Sequence, residues 1–411
     1  MKTLTRIKSR FQSDRTPAFD FPTPQASSSR ILILSASVGS GHVRAAQAIE
    51  SSLLKILPGV TVSHVDALDL TNGAFRKAYG AGYFRAVERA PRFVGWMYDF
   101  LDRPGDHGAA TLTRQFFERL NFTRLTKLLT DQQWDLVVCT HFLPAALISR
   151  LRRRGDVNFP HASVVTDFDV HGLWINRPCE RFFVATEEAG ANLTAVGVDD
   201  SEISVTGIPI DPVFSQRCDR RDAIRRMGLS DDLPIVLQMA GGFGIGSIER
   251  IHRSICEIEL PLQIVVVTGK NAEACEALRA MEHHPRHRRQ ILGFTDQMHD
   301  LLRAASVVVT KPGGLTTSES LACNCPMVIA EPIPGQEDRN ADFLLENGCA
   351  IKVNNLASLS LKLGSLLNDH ARLTRMRAAA AQCARPHAAF DVAAGCVELI
   401  QQSHATLNSH S

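Results

Sequence analysis

Short apolar runs alternate with amphipathic segments along most of this chain. Runs such as Ile31–Ala36 and Ile235–Met239 are mostly apolar, which is typical of strands that are buried on both faces. Segments with apolar residues at helical spacing follow them, as in Val43–Leu57. The alternation predicts an α/β fold in which mostly parallel sheets carry helices on both faces.

The same pattern predicts the individual elements. The predicted strands are Ile31–Ala36, Thr61–Val65, Leu136–Thr140, Ala162–Thr166, Arg181–Ala185, Ile203–Thr206, Ile235–Met239, Gln263–Thr268, Gln290–Leu292, Val307–Thr310, Pro326–Ala330 and Ala350–Val353. The predicted helices are Val43–Leu57, Pro144–Arg153, Glu187–Val196, Ser247–Ile258, Ala272–Met281, Gln297–Ala305, Leu315–Cys323, Asp338–Glu346, Leu356–Asn368, His370–Ala384 and Ala388–Gln402, with a long helical region at Thr71–Thr130.

These elements divide into two α/β halves. We expect a flexible leader at residues 1–29, a first half at 30–214, a second half at 215–385, and a C-terminal helix and tail at 386–411. Gly207–Phe214 (GIPIDPVF) is rich in Pro and Gly, as expected for a linker. Two doubly wound halves that face each other would hold a ligand in the crevice at the carboxyl ends of their strands.

Composition narrows the classes of function. The 411 residues are 45% hydrophobic and 21% charged, which suits two globular domains, and the net charge of +2 gives no indication of a nucleic-acid partner. No apolar run approaches the ~20 residues that cross a bilayer, and no secretory signal is recognised. The cysteines lack metal-ligand spacing, so they are interpreted as buried apolar residues in a reducing compartment, and no metal site is expected.

Three glycine-rich turns each follow an apolar run and precede a helix-like segment. They are Ile31–His42 (ILILSASVGSGH), Ile235–Ser247 (IVLQMAGGFGIGS) and Val307–Glu319 (VVVTKPGGLTTSE). Such a turn presents backbone N–H groups and the positive end of a helix dipole, so the three turns indicate two halves that share one phosphorylated ligand. The second turn, with Gly241, Gly242 and Gly244 around Phe243, is assigned to nucleotide phosphates, because so many glycines suit a backbone that closely approaches a ligand.

The first turn contains Gly39, Ser40 and Gly41 and ends at His42. It is not a dinucleotide fingerprint, because Arg44 occupies the third-glycine position, and it is not a P-loop, because His42 replaces the lysine. A histidine at a helix N-terminus is expected to stay neutral and to accept a proton near pH 7. His42 is therefore a candidate catalytic base, and the alternative is a residue that only packs or caps.

The third turn leaves two interpretations of Glu319 open. Thr316 and Glu319 fit a T-x-x-E capping box, which would make the carboxylate purely structural. Alternatively, Glu319 accepts hydrogen bonds from vicinal hydroxyls such as those of a ribose. The polar loop that follows offers Gln336, Glu337 and Asn340, which could bind sugar hydroxyls or simply begin a helix.

Asp167 and the segment Thr71–Phe122 complete the set of candidates. Asp167 lies just past a strand end in VVTDFDVHGLW (Val164–Trp174), and it could be a second base or could orient His42. A metal site built on this Asp/Asp/His segment is disfavoured, because no companion cluster accompanies it.

Thr71–Phe122 mixes aromatic and cationic residues along helices, which suits an anionic membrane surface as well as a core.

Together, these motifs resemble the UDP-sugar glycosyltransferases that include monogalactosyldiacylglycerol synthase and the processive diacylglycerol glucosyltransferases. They are more distantly similar to the N-acetylglucosaminyltransferase of peptidoglycan lipid synthesis. The resemblance extends from Ile31 to about Val353. The motifs that carry it, in the family's order, are SASVGSGHVRAAQAI, THFLPA (Thr140–Ala145), VVTDFDVHGLW followed by RFFVAT, VTGIPID (Val205–Asp211), MAGGFGIGS, VVTGKN (Val266–Asn271), GFTDQM (Gly293–Met298), TKPGGLTTSESLA and PIPGQEDRNA.

The resemblance implies a GT-B fold, in which two doubly wound Rossmann-like domains face a central cleft, and an inverting hexose transfer to a lipid hydroxyl. By this resemblance His42 would lie on the acceptor side as the candidate base or would help to position the acceptor, with the turn of Gly39, Ser40 and Gly41 beside it. Asp167 stays a second catalytic candidate from its position after the strand end. The donor-binding residues that it implies are Gly241, Gly242, Phe243, Gly244, Phe294, Gly313, Gly314, Leu315, Thr316, Glu319, Gln336, Glu337 and Asn340. Among them, Phe294 would border the uracil and Glu319 would bind the ribose.

The resemblance also implies partners and a location. The first half would receive diacylglycerol or a related lipid at an anionic membrane surface, as a peripheral protein of the cytoplasmic face, and the second half would bind UDP-galactose or UDP-glucose. The UDP-sugar is a co-substrate, and no cofactor or metal is expected, because a helix N-terminus and backbone amides can stabilise the leaving diphosphate. The alternatives are a UDP-sugar 2-epimerase of similar fold, a UDP-N-acetylglucosamine transferase to another lipid, a nicotinamide oxidoreductase and a non-catalytic nucleotide-sugar sensor.

Overall fold

Two six-stranded parallel sheets form the framework of the molecule, as the sequence predicts. The structure is a computed structural model that describes residues 29–71, 122–239 and 247–410, with side chains as far as residue 405. Each sheet is covered by helices on both faces, so that strands in its centre are buried along their whole length.

The first sheet is built from the N-terminal half of the chain. Its strands are β1 (Arg30–Ser35), β2 (Thr61–Asp66), β3 (Leu136–Cys139), β4 (His161–Val164), β5 (Arg181–Val184) and β6 (Ile203–Val205). Its helices are α1 (Ser40–Ile56), α2 (Thr123–Thr130), α3 (Phe142–Arg154) and α4 (Glu187–Ala195). The strand order is β2-β1-β3-β4-β5-β6, with parallel pairing between neighbours.

The second sheet repeats this architecture. Its strands are β7 (Ile235–Met239), β8 (Gln263–Val267), β9 (Arg288–Leu292), β10 (Val307–Thr310), β11 (Met327–Ala330) and β12 (Ala350–Val353). Its helices are α5 (Arg220–Arg226), α6 (Ile248–Cys256), α7 (Ala272–Ala280), α8 (Met298–Ala304), α9 (Gly314–Ala322), α10 (Gln336–Glu346), α11 (Leu359–Asn368) and α12 (His370–Cys383). The strand order is β12-β11-β10-β7-β8-β9.

The last helix, α13 (Ala388–His410), returns to the first half. Its apolar residues, among them Val392 and Cys396, pack with Ile31 and Ile33 of β1 in one buried cluster. The chain therefore passes between the halves twice, once after β6 and once before α13. The two passages touch, because a Cβ placed on Gly207, which has a φ of 89°, would lie 2.5 Å from the Cβ of Arg385.

The strand order of each sheet determines where a ligand can bind. In the first sheet, the chain goes from β1 outward to β2 on one side and then returns to add β3 and the later strands on the other side, so the strand order reverses between β1 and β3. In the second sheet, the same reversal lies between β7 and β10. Ligands of doubly wound proteins bind at the carboxyl ends of strands at such a reversal. The helices that follow β1, β3 and β10 are α1, α3 and α9, and β7 is followed in the chain by the glycine-rich residues 240–246, which lie outside the described residues.

The predicted elements agree with most of the observed ones. Strands predicted at Ile235–Met239, Val307–Thr310 and Ala350–Val353 have the observed bounds. Helix α5 was not predicted, because only Ala223 and Ile224 of its residues are buried and they leave no periodic apolar pattern. The helical region predicted at Thr71–Thr130 lies mostly outside the described residues, and its described part contains α2.

Candidate active site

The first turn of α1 carries His42 at the carboxyl end of β1. Gly39 precedes this helix with a φ of 112°, in the region that favours glycine, and so lets the chain turn sharply from strand to helix. His42 is half-buried, and its Nδ1 lies 3.0 Å from the carbonyl oxygen of Thr140 and 2.8 Å from the hydroxyl of Thr166. The Thr140 hydroxyl donates to the carbonyl oxygen of His42 at 2.9 Å, which fixes the helix start as well as the ring.

These contacts define the tautomer of His42. A carbonyl oxygen only accepts hydrogen bonds, so the single proton of the neutral ring lies on Nδ1 and leaves Nε2 as an acceptor. Burial lowers the pKa of His42 to about 4, and the hydrogen bond to Thr140 offsets this in part. The imidazole is therefore neutral near pH 7 and has the protonation state that a general base requires.

An aromatic cluster that the sequence analysis did not single out surrounds His42. The His141 ring meets the His42 ring edge-on at 4.6 Å and stacks on Phe142 at 4.2 Å, and Trp174 lies 6.4 Å from His42. The Nδ1 of His141 accepts from the Leu143 N–H at 3.0 Å, and burial holds the pKa of His141 well below its usual value. The position of THFLPA directly after β3, beside the end of β1, was the signal that could have identified it.

The structure places Asp167 against helix α10 of the second half. Its Oδ1 accepts hydrogen bonds from the Gln336 amide at 2.6 Å and the Asn340 amide at 3.4 Å. Burial raises the pKa of Asp167 to about 6, and the two amide hydrogen bonds oppose this rise. The alternative in which Asp167 orients His42 is not what the structure shows, because the ring Nδ1 is held by two threonines instead.

Asn340 is completely buried at the contact between the halves. Its side-chain oxygen accepts from the Phe168 N–H at 2.9 Å, and its side-chain nitrogen donates to the Pro312 carbonyl at 3.0 Å. A salt bridge of 2.6 Å between Arg339 and Asp169 lies in the same contact. Asn340 therefore connects the two halves in this structure, whereas its position in the sequence predicts a place near the donor sugar.

Glu319 faces the first half from the buried side of α9. A guanidinium nitrogen of Arg44 lies 3.3 Å from its Oε1, so the first turns of α1 contact α9 across the cleft. The capping-box interpretation is wrong, because α9 begins at Gly314 and its N-cap is Gly313, which leaves Thr316 inside the helix. Burial raises the pKa of Glu319 to about 7, and Arg44 opposes this rise.

The start of α9 packs directly on the first half. A Cβ placed on Gly314 would lie 2.0 Å from the carbonyl oxygen of Thr166 and 3.1 Å from Ile208 Cδ1, so only glycine allows this approach. Leu315 is buried, and Thr316 is half-buried. The predicted donor helix thus begins against Thr166, the residue whose hydroxyl contacts the His42 ring.

Glu337 and Lys311 lie beside the turn that precedes α9. The Glu337 Oε2 accepts from the Ile333 N–H at 2.6 Å, and a Cβ on Gly313 would lie 3.8 Å from Glu337 Oε1. Burial raises the pKa of Glu337 to about 7, while the Ile333 N–H and the charge of Lys311 oppose this rise. A cation and a titratable carboxyl group therefore accompany the glycines of the predicted phosphate turn.

The remaining predicted donor residues lie at the edge of the described chain or beyond it. Gly241, Gly242, Phe243 and Gly244 fall within residues 240–246, which are outside the described residues. In the chain, β7 ends just before them at the carboxyl edge of the second sheet, and α6 begins just after them. Phe294 follows β9 with 69% of its surface exposed, an accessible aromatic ring at the same edge.

The described parts of the chain contain neither a cluster of metal ligands nor a helix that could span a membrane. Within residues 29–71, 122–239 and 247–410, no group of three or more His, Cys, Asp or Glu side chains could hold a metal ion. In the same ranges, no helix is both long enough and apolar enough to cross a membrane. The ten cysteines, all of which lie within these ranges, are free thiols.

The fold and the cleft together define a class of protein. Two doubly wound domains meet at the carboxyl ends of their sheets, which is the GT-B fold of glycosyltransferases. MurG from Acinetobacter baumannii has a TM-score of 0.55 at 18% identity, covering 90% of this chain and 99% of that one. The glycotransferase of kitacinnamycin has a TM-score of 0.59 at 13% identity, covering 90% and 98%.

Sequence comparison identifies the family within this class. Residues 42–210 match the family profile of monogalactosyldiacylglycerol (MGDG) synthase, and residues 246–383 match that of glycosyl transferases group 1. A processive diacylglycerol beta-glucosyltransferase of Bacillus cereus (strain AH187) is 30% identical over 368 residues, covering 88% of this chain and 91% of its own. One of Bacillus subtilis (strain 168) is 29% identical over 350 residues, covering 85% and 89%. The chain belongs to this family of glycosyltransferases, as the resemblance indicates.

The epimerase alternative shares the fold but not the family. A Listeria monocytogenes protein described as a UDP-N-acetylglucosamine 2-epimerase has a TM-score of 0.56 at 15% identity, covering 89% of this chain and 94% of that one. Likeness at such low identity shows the fold alone. The sequence match to the glycosyltransferases is what separates the two classes.

Proposed function

We propose that this protein transfers glucose or galactose from a UDP-α-hexose to the hydroxyl of diacylglycerol or a related lipid, with inversion to a β-glycolipid. The similarity to processive diacylglycerol beta-glucosyltransferases supports a diacylglycerol acceptor. The observation that carries the proposal is the cross-cleft contact, in which the first turns of α1 carry both His42 and Arg44, and Arg44 touches Glu319. A base on the acceptor side and a carboxylate on the donor side therefore share one cleft.

On the acceptor side, His42 is proposed as the general base. Its Nε2 takes the proton of the lipid hydroxyl while the oxygen attacks the anomeric carbon from the face opposite the leaving UDP. The bond from the anomeric carbon to the UDP oxygen breaks, and its electron pair leaves with UDP. Asp167 is proposed as a second catalytic residue from its place where the two halves meet, and there its carboxylate accepts a hydrogen bond from Gln336.

On the donor side, Glu319 is proposed to accept hydrogen bonds from the ribose hydroxyls in place of its ion pair with Arg44. The backbone amides of the turn before α9 and of the loop after β7 are proposed to hold the diphosphate, with Lys311 nearby. Phe294 is proposed to border the uracil, and Gln336 and Glu337 to lie near the sugar.

We propose further that no metal or cofactor takes part, because the N-terminus of α9 and its glycine turn can stabilise the charge of the leaving diphosphate. The test is initial rates in excess EDTA and in added Mg²⁺ or Mn²⁺. Equal rates are expected, and loss of activity in EDTA that a divalent ion restores would contradict the proposal.

A membrane surface is proposed as the place of reaction, since diacylglycerol resides in bilayers. The aromatic and basic segment Thr71–Phe122, most of which lies outside the described residues, is proposed to contact anionic lipid at the cytoplasmic face. Cosedimentation with vesicles of zwitterionic lipid, with and without anionic lipid, tests this. Binding that needs anionic lipid and weakens with salt is expected, and equal binding to both vesicles would contradict it.

The reaction itself is tested with labelled UDP-glucose and UDP-galactose. Purified protein is incubated with each donor and with diacylglycerol in vesicles, and the lipid product is identified by mass spectrometry and its anomeric configuration by NMR. Label in a β-monohexosyldiacylglycerol is expected from one donor or both. An epimerase would instead leave the label in the water-soluble fraction, in a UDP-sugar whose configuration at C2 is inverted.

A further inference from the structure

We propose that Thr166 is a positioning residue, whose hydroxyl accepts a second hydrogen bond from the Nδ1–H of His42 and whose main chain fixes that base to the donor domain. The proposal rests on the proposed role of His42. The proposal adds two points to the role of His42. It names the residue that couples the two halves of the site, and it makes the partner of the base a hydroxyl and not the Asp167 carboxylate.

The first step is the contact of the hydroxyl with the ring. The Thr140 carbonyl requires a proton on His42 Nδ1, so the Thr166 hydroxyl, 2.8 Å from the same nitrogen, acts as a second acceptor for that N–H. When Nε2 takes the proton of the lipid hydroxyl, the ring becomes a cation. Its Nδ1–H is then shared by two oxygen atoms, and hydrogen bonds from a charged donor are stronger than those from a neutral one.

The second step is the contact of the main chain with the donor domain. The Thr166 carbonyl oxygen packs on the first residue of α9, where a Cβ on Gly314 would lie only 2.0 Å away. The next two residues continue the contact, because the side chain of Asp167 and the N–H of Phe168 bind amides of α10. Three consecutive residues of the first half thus connect the His42 ring to helices α9 and α10 of the second half.

The third step follows from this geometry. A shift of α9 or α10 relative to the first sheet moves the Thr166 backbone, and with it the hydroxyl that contacts Nδ1. The base is therefore fully held only when the halves are in contact as they are here. This couples proton acceptance to the arrangement of the donor domain, which favours transfer to the lipid over reaction with water.

The test compares Thr166→Val, which removes the hydroxyl at nearly constant volume, with Thr166→Ser, which keeps it. We expect Thr166→Val to lower kcat about tenfold while KM for the UDP-hexose and the affinity for UDP stay within about twofold, the size of effect typical of one hydrogen bond to a charged group. Thr166→Ser should recover most of that loss. Thr206→Val is the matched control, because Thr206 is also buried after a strand of the same sheet and its hydroxyl donates to the Gly207 carbonyl.

A spectroscopic readout separates this proposal from the function on which it rests. The imidazole ¹⁵N and Nδ1–H signals of His42, assigned against His42→Ala, should show the Nδ1–H tautomer in both proteins, because the Thr140 carbonyl is retained, and the Nδ1–H signal should shift upfield in Thr166→Val, because that proton has lost one of its two acceptors. That result would support the positioning role even if no UDP-hexose were turned over. Unchanged His42 signals in Thr166→Val, or a Thr166→Ser variant no more active than Thr166→Val, would overturn it.

Discussion

Substitution of Gly314 by alanine adds one methyl group at a close contact between the two halves. The backbone of Gly314 is helical, so the change introduces no conformational strain of its own. The new Cβ would lie 2.0 Å from the Thr166 carbonyl oxygen, and contacts below 3.0 Å are essentially never observed for real Cβ atoms. The two groups must therefore separate by about 1 Å, as overpacked sites do.

The expected magnitude follows from that displacement. Alanine is favoured over glycine in a helix by up to about 1 kcal/mol, but overpacking of a close contact costs ~1–3 kcal/mol, so we expect a small net loss of stability. The effect on catalysis should be larger, because Thr166 also contacts the His42 ring, and a displacement of ~1 Å in a reacting geometry costs about 100-fold in rate. We therefore expect kcat to fall by about two orders of magnitude in a protein that still folds.

The assay is hexosyl transfer to diacylglycerol, with urea unfolding followed by circular dichroism. Gly364→Ala is the matched control, because this glycine also lies in a helix of the second half and its added Cβ would meet Ile258 Cγ2 at an ordinary 3.6 Å. The control should keep wild-type kcat and unfold at the same or a higher urea concentration. A Gly314→Ala enzyme with kcat within about twofold of the wild type would refute the reasoning about this contact.

Three further predictions concern the titratable groups of the cleft. His42→Ala should lower kcat by ~10²–10⁴-fold while calorimetry gives an unchanged affinity for UDP, and unchanged turnover would remove His42 from the mechanism. Glu319→Gln should weaken UDP binding, with a normal circular dichroism spectrum, because the amide is a poorer acceptor for ribose hydroxyls; unaltered UDP affinity would argue against the ribose role. Folding raises the pKa of Asp167 from 3.8 to about 6, so the native state favours its protonated form, and this contribution to stability is complete below pH 3.8 and lost as the pH rises through about 6. Between pH 4 and 7 the free energy of unfolding of Asp167→Asn should therefore rise relative to the wild type by up to about 3 kcal/mol, and a constant difference in urea unfolding would contradict this.

The sequence predicts the fold well because both sheets are covered on both faces. Central strands such as Val307–Thr310 must then be apolar throughout, and this signal depends little on tertiary context. Helix α5 was missed for the opposite reason, since its surface is mostly polar. The end of α9 follows a local rule. The helix stops at Ala322, and Asn324, two residues later, takes a left-handed φ of 52° that turns the chain toward the next strand.

The candidate site was predictable in its parts but not in its pairings. Glycine turns and a histidine after β1 can be recognised along the chain, whereas the contact of Arg44 with Glu319 joins residues from different halves. The capping-box interpretation failed because the helix start depends on Gly314 packing against the other half, which no local pattern contains. The contact of Thr166 with His42 was missed for the same reason, since threonine at a strand end carries no chemical signature.

The double passage of the chain between the halves limits how the cleft can open. The segments at Gly207 and Arg385 touch, so the two halves are joined by a hinge made of two adjacent chain segments and not by one flexible linker. Translation or unrestricted rotation of one half relative to the other would stretch one of these two segments. Opening of the cleft is therefore restricted to rotation about the hinge. The first half also depends on α13 to cover β1, which means that neither lobe could be expressed as an intact unit by cutting the chain once at residue 214.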